Sequence, residues 1–273
     1  MQSLANRLAI QHFVNAYTQE TGKGYLLHKN QQTSTQQAFS QGLTLLILPI
    51  HSIQAQCYFP LSYVSRVGRH RVANLPQIII QGQSKTFSPV AIVGLLLEEL
   101  VSESSIPLDA ASLVEKWIQS RDALQQFLVQ REHEFDDLIK AGQSFIETEQ
   151  ALILGHSMHP APKSRTGFVH EDWLKFSSEH KGKTQLHYWL VHQDYIAEGC
   201  ATDESISSQL KNALQWYLSE NDLNLLKTHT EYKLLPVAIV TLNMTAGFYI
   251  QDKFGLNSQQ SAMYFPNACW SWA

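Results

Sequence analysis

Gly155-His156-Ser157-Met158-His159-Pro160-Ala161-Pro162-Lys163-Ser164-Arg165-Thr166-Gly167-Phe168 is the stretch on which the reading of this chain turns. Pro160 and Pro162 exclude a helix here, because each lacks an N–H and fixes its own φ. Each also pushes the residue before it, His159 or Ala161, towards extended geometry. The composition changes at the same place. Before Gly155 the pattern is one of long helices; after it come the prolines, glycines and aromatics of loops and strands. This places a domain boundary near residue 150. It also predicts an α+β fold, because strands and helices do not alternate as they would in βαβ units. Residues 1–150 read as a helical bundle with a small antiparallel sheet. Residues 151–273 read as part of a mostly antiparallel β domain.

Working outward towards the N-terminus, Leu4, Leu8, Phe13 and Tyr17 fall at helical spacing over 3–19, with Ser3 as a cap and Gly22-Lys23-Gly24 as the stop. Asn30–Gln37 is polar and reads as a loop or hairpin turn. Leu43–Ile50 is a continuous apolar run bounded by Gly42 and Pro49, which suits a buried strand; Gln56–Arg66 and Ile78–Ile80 follow as further strands. Arg66, Arg69, His70 and Arg71 form a basic cluster on a turn at Gly68, read as a solvated turn. Ser88-Pro89 opens a helix to about Ser102. Asp109 caps the next, which carries Leu113, Trp117, Leu124 and Leu128. A third pattern through Phe135, Leu138, Phe145 and Ile146 completes the bundle. In the other direction, Leu186–Val191 reads as a strand, Ser205–Leu218 as an amphipathic helix and Tyr232–Val240 as a strand.

Composition narrows the function. The chain has 273 residues, 44% hydrophobic and 16% charged, so it is globular rather than disordered. Its net charge of −4 gives no global field to attract nucleic acid or an anionic membrane. No apolar run approaches the length needed to span a bilayer, and no signal-peptide pattern opens the chain. Cys57, Cys200 and Cys269 form no paired motif, which suits a reduced cytoplasmic setting. An anionic ligand must therefore be captured locally. Lys163 and Arg165 are two apart, so on an extended loop they point the same way, roughly 6–7 Å apart, which suits neighbouring phosphates. Arg offers a forked donor and Lys a compact charge. Gly167 lets the backbone approach a ligand closely. From residue types alone, a solvated connection explains such a loop equally well. A zinc site on His156 and His159 is disfavoured, because Pro160 denies the helix that would make them converge and no Glu lies between them.

The pattern Gly-His-x-x-His-Pro-x-x-Lys-x-Arg-x-Gly-Phe resembles the signature of the IucA/IucC family, the NRPS-independent siderophore synthetases. Ser157 stands where that family usually has Pro. Phe176-Ser177-Ser178-Glu179, followed by Leu186-His187-Tyr188-Trp189, resembles the family's Tyr-x-Pro-Glu-Phe segment, with Ser178 for the Pro and His180 for the Phe. The resemblance covers about residues 1–237. It implies a thumb-like domain over 1–150 and an incomplete nucleotide-binding, fingers-like domain over 151–273. It further implies siderophore biosynthesis for iron acquisition by an ATP-dependent ligase that adenylates citrate or a related carboxylate and joins it to an amine. The cofactors would be ATP and Mg2+. His156, His159, Lys163, Arg165 and Gly167 would be the cofactor-binding residues, with no residue assigned to catalysis and none to a resident metal.

The resemblance stops after Leu234-Leu235-Pro236-Val237. Ala238-Ile239-Val240-Thr241 stands where the family has His-Pro-Trp-Gln, and no second Ser-x-Arg-Thr motif follows. A divergent ending and a change of reading frame near Val237 both fit. The chain is expected to be truncated and inactive by itself; the alternative is a non-catalytic remnant or weak nucleotide-binding module. A shortened sheet should expose an edge, which the aromatic tail or a second copy of the chain, as a homodimer, would cover.

Overall fold

A computed structural model describes residues 1–104, 107–140, 142–165, 170–182, 185–197, 199, 208–210, 212, 219–238 and 262–271. The chain divides into two compact units, Met1–Phe168 and Val169–Ala273. The division thus falls after the proline-rich stretch, whereas the composition change places it near 150. Ile153, Ala161 and Lys163 are buried within the first unit and tie the loop to it.

The first unit is a sheet covered by helices, and the expected α+β architecture holds. Helix α1 (Gln2–Thr21) ends where Gly22 adopts φ 66° and returns its N–H to the Thr18 carbonyl. The strands are β1 (Tyr25–Leu27), β2 (Thr44–Ile50), β3 (Ala55–Tyr63), β4 (Arg71–Val72), β5 (Gln77–Ile80) and β6 (Gln83–Lys85). They pair antiparallel in the order β1-β2-β3-β5-β6, with β4 on the far end of β3. The continuous apolar run in β2 has a simple cause: both faces are buried. Leu46, Leu48 and Ile50 join the main core, while Leu45 and Ile47 pack with Tyr58 on the opposite face. The strand runs through Pro49, which lies opposite Gln56.

The helices α3 (Pro89–Glu103) and α4 (Ala110–Gln130) begin as expected: the Ser88 and Asp109 side chains accept from the N–H groups of Ala91 and Ser112. Their apolar faces meet α1 and the sheet through Ile92, Val93, Leu96, Leu97 and Trp117. Two expectations fail. The polar stretch after β1 is not a plain loop. It holds a 3-10 turn (Lys29–Gln31) and helix α2 (Ser34–Ser40), opened by a reciprocal cap between Thr33 and Gln36. The third long helix is missing too. After α4 come a 3-10 turn (Glu132–Glu134) and the short α5 (Phe145–Gln150), with Phe145 79% exposed. Gly142 at φ 80° and the Ser144 cap restart the chain there.

The second unit contains α6 (His170–Phe176), β7 (Gln185–His192), α7 (Glu220–Thr228), β8 (Tyr232–Ala238) and β9 (Ala262–Ser271). Among the described residues its strands are antiparallel in the order β8-β7-β9. The late strand β9 therefore pairs with β7 and covers one edge of it. The helix expected over 205–218 lies mostly outside the described residues. No helix of the described residues is long and apolar enough to cross a membrane.

Candidate functional site

The 155–165 loop is not extended. It is two consecutive turns, closed by His159 N–H to the His156 carbonyl at 3.1 Å and Ser164 N–H to the Ala161 carbonyl at 3.2 Å. Pro162 occupies the second position of the latter turn, where its fixed φ is favourable. Each histidine accepts a hydrogen bond from the backbone two residues on. His156 Nδ1 accepts from Met158 N–H at 3.3 Å, and His159 Nδ1 accepts from Ala161 N–H at 3.0 Å. With Nδ1 accepting, the neutral ring carries its proton on Nε2, so both imidazoles offer that N–H as their free donor. Both rings are exposed.

Lys163 departs from the expected geometry. It is only 5% exposed, so it does not share an open surface with Arg165, which is half-buried. Lys163 Nζ donates to the Leu152 carbonyl at 2.5 Å and lies 5.7 Å from the centre of the Phe127 ring. Its backbone N–H donates to Ser120 Oγ at 2.9 Å, which pins the loop to α4. Gly155, at φ 73°, makes this possible, because a Cβ there would meet Pro162 Cβ at 2.9 Å and Lys163 Cε at 3.0 Å. Gly167 lies outside the described residues.

Sequence reasoning missed His12, on α1 beneath the loop. It is 2% exposed, and its pKa is lowered from 6.5 to about 4. Burial is the main cause; the charges of Lys163, His156 and His159 add to it. The loop thus carries a positive field into the first unit as well as outward. A histidine among Ala9, Phe13 and Ala16 on a buried helix face was the available signal.

Two other features bear on chemistry. His51, Glu99 and Glu103 place ligand-type atoms within 4.8 Å of one another. However, Glu99 accepts from the backbone N–H groups of His51 (2.8 Å) and Ser52 (3.0 Å), and Glu103 pairs with Lys23. Burial pushes the Glu99 carboxyl up, but those donors outweigh it and hold it below its ordinary value. The cluster is therefore a cap for the turn after β2. In the second unit, the Phe176–Glu179 segment forms a buried 3-10 turn (Ser178–His180) before β7, with Ser177 Oγ 2.8 Å from His180 Nδ1.

The loop also lies within a stretch that is similar to known proteins. The model of the IucA / IucC family matches residues 144–238, which contain the loop, the Ser178–His180 turn, β7 and β8. The match ends where the sequence departs from the family pattern. The chain is 28% identical over 246 residues to the spermidine-citrate ligase of Bacillus anthracis, covering 86% of this chain and 40% of that protein. Over 52 residues it is 48% identical to the L-2,3-diaminopropanoate–citrate ligase of Staphylococcus aureus, covering 19% of this chain and 9% of that one. Its fold is similar to that of ATP-bound aerobactin synthetase IucA from Klebsiella pneumoniae, with a TM-score of 0.69 and 21% identity over 97% of this chain and 44% of that one. The chain carries IucA/IucC family sequence. It spans about two fifths of the length of the Bacillus relative.

Proposed function

We propose that this chain corresponds to the N-terminal part of an ATP-dependent siderophore synthetase that activates citrate or a related carboxylate as its adenylate and passes it to an amine. The observation that carries the reading is the loop 155–165. It lies inside the family match and presents cationic and N–H donor groups on two fixed turns. Negative charge gathers on the phosphates during adenylation, and preorganised donors stabilise it there. In this reading the His156 and His159 Nε2 donors and the Arg165 guanidinium meet the phosphates, and Gly167 belongs to the same proposed cofactor-binding set. Lys163 acts from below. Its bond to the Leu152 carbonyl sets the loop's shape, and it adds positive field without needing to reach the ligand. Mg2+ would arrive with the nucleotide, neutralising its charge. A free, buried Cys57 suits the reducing cytoplasm. A homodimer is proposed on the same footing, as a second copy lying along the β8 edge.

The ligase relatives' length leads to a second proposal. By itself this chain binds nucleotide weakly and does not turn over, because a partly assembled site loses more than the sum of its missing contacts. Calorimetric titration with ATP tests both. Weak, salt-sensitive binding that is lost in Arg165→Ala and reduced in His159→Ala is expected, with no pyrophosphate release from ATP in the presence of citrate and diamines. Unchanged ATP affinity in Arg165→Ala would sink the phosphate assignment. Robust turnover would sink the second proposal.

A further inference from the structure

The apolar pattern that should have formed a third bundle helix has no home in the fold. A long helix would bury Phe145 and Ile146, yet both stand at the surface on the short α5. Phe145 is 79% exposed, and Ile139, earlier on the same excursion from α4, is 84% exposed. Single exposed apolar side chains are ordinary. These three share one excursion whose ends are tied together. Buried Arg131 donates to Glu134 at 2.8 Å near its start and to the Gln150 carbonyl at its end. Midway, Gln143 Nε2 donates to the Asp137 carbonyl at 2.7 Å.

The same excursion is strongly acidic. Between 132 and 150 the sequence has six carboxylates and one lysine. Lys140 pairs with Asp137, Glu134 pairs with Arg131, and Glu147 accepts from Ser144 at the cap of α5. Glu132, Asp136 and Glu149 are exposed and form no ion pair among the described residues. Charge therefore selects what can cover the apolar groups. A second copy related by two-fold symmetry would set the same carboxylates against each other. An anionic lipid surface would be repelled. The described residues here form a short helix and turns with no strand edge, so an extended peptide has no ladder to join. A helix with an apolar stripe flanked by Lys and Arg meets all these conditions.

We propose that this face docks a basic amphipathic helix of a partner protein. Its apolar stripe lies on Ile139, Phe145 and Ile146, and its cations face Glu132, Asp136 and Glu149. The inference is independent of the nucleotide reading, because none of these residues belongs to the 155–165 loop.

The test is fluorescence anisotropy of the whole chain with a labelled leucine–lysine peptide of about five helical turns, its leucines at helical spacing. The controls are a scrambled isomer without that spacing and a leucine–glutamate counterpart. The amphipathic basic peptide should bind at least about tenfold tighter than its scrambled isomer, and more weakly as salt rises. The acidic counterpart should not bind. Phe145→Ser should weaken binding about tenfold, and it is safe for folding because the ring is exposed. Asp136→Asn and Glu149→Gln should each weaken it about threefold and lower the salt dependence. Glu115→Gln, an exposed carboxylate near the other end of α4, should leave binding unchanged. Arg165→Ala should remove ATP binding and leave peptide binding intact, which separates failure of this inference from failure of the nucleotide reading. Equal binding of the two basic peptides, no binding of either, or full affinity in Phe145→Ser would overturn the proposal. So would a dimer of the chain, or binding to anionic phosphatidylglycerol vesicles, that Phe145→Ser abolishes, since the face would then belong to a second copy or to a membrane.

Discussion

Residues 66–71 and residues 156–165 are alike in composition, each a short turn with histidine and several cations, yet the first unit uses them differently. In the first, Arg66, Arg69 and Arg71 are all exposed, and only His70 is buried, its Nδ1 accepting from Ser65 N–H at 3.1 Å. In the second, the histidines are exposed and the lysine is inside. The difference is where partners exist. Lys163 finds the Leu152 carbonyl and the Phe127 ring within the fold, and Ser120 holds its backbone. A buried ammonium without such partners would be too costly to keep. The comparison teaches that the motif's lysine is bound into the architecture of its own loop, whereas the arginines of the β3–β4 turn have no comparable work in the fold.

The largest test of this contrast is pH. His12 lies under the motif loop and is held neutral in the fold, with a pKa of about 4 against an ordinary 6.5. As pH falls, the unfolded chain takes up this proton first. The stability linked to His12 is therefore complete above about 6.5 and is lost as pH falls towards 4. The expected loss is on the order of 3 kcal/mol across that window. Urea unfolding from pH 4 to 7 should show this slope, and His12→Gln should flatten it. A slope that survives the substitution would mean the buried field beneath the loop belongs to other groups.

Next in size is Lys163→Met, which keeps the stem but removes the ammonium. Leu152 then loses its donor, at a cost of about 2 kcal/mol by chemical denaturation. Ser120→Ala should cost about 1 kcal/mol, since it leaves the buried Lys163 N–H without its acceptor. If Lys163→Met is neutral, the lysine is not structural, and its assignment to the ligand regains force.

These effects mark the limit of what could be read in the sequence. Elements with local signals were legible. Ser88, Asp109 and Gly22 set helix ends through their own side chains or φ, and the β2 run identified a strand buried on both faces. Failures came where the deciding partner was remote or the polar signal was ambiguous. Thr33 and Gln36 carried the capping pattern of α2 inside a stretch that otherwise looked like a loop. The motif gave Lys163 its chemistry but not its place, because Ser120 is 43 residues away and is an ordinary helix residue in the sequence. His12 carries only a local hint, a histidine on a buried apolar helix face; burial does most to depress its pKa, and the loop whose charges add to that lies far along the chain.

The smallest effects should come from the β3–β4 turn, and their order is part of the claim. Arg66 and Arg69 are exposed and form no ion pair among the described residues, so replacing either by Ala should change stability by no more than about 0.5 kcal/mol. Arg71 differs, because its guanidinium carbon lies 5.8 Å from the centre of the Tyr63 ring. An exposed cation–π contact is worth about 0.5–1 kcal/mol, so Arg71→Ala should be the costliest of the three. Tyr63→Leu should remove that excess, and the double variant should cost less than the sum of the two single changes. Melting curves of the five variants at low and high salt decide it. If Arg66→Ala or Arg69→Ala costs as much as Lys163→Met, this turn is as firmly built in as the motif loop, and the contrast between the two stretches fails.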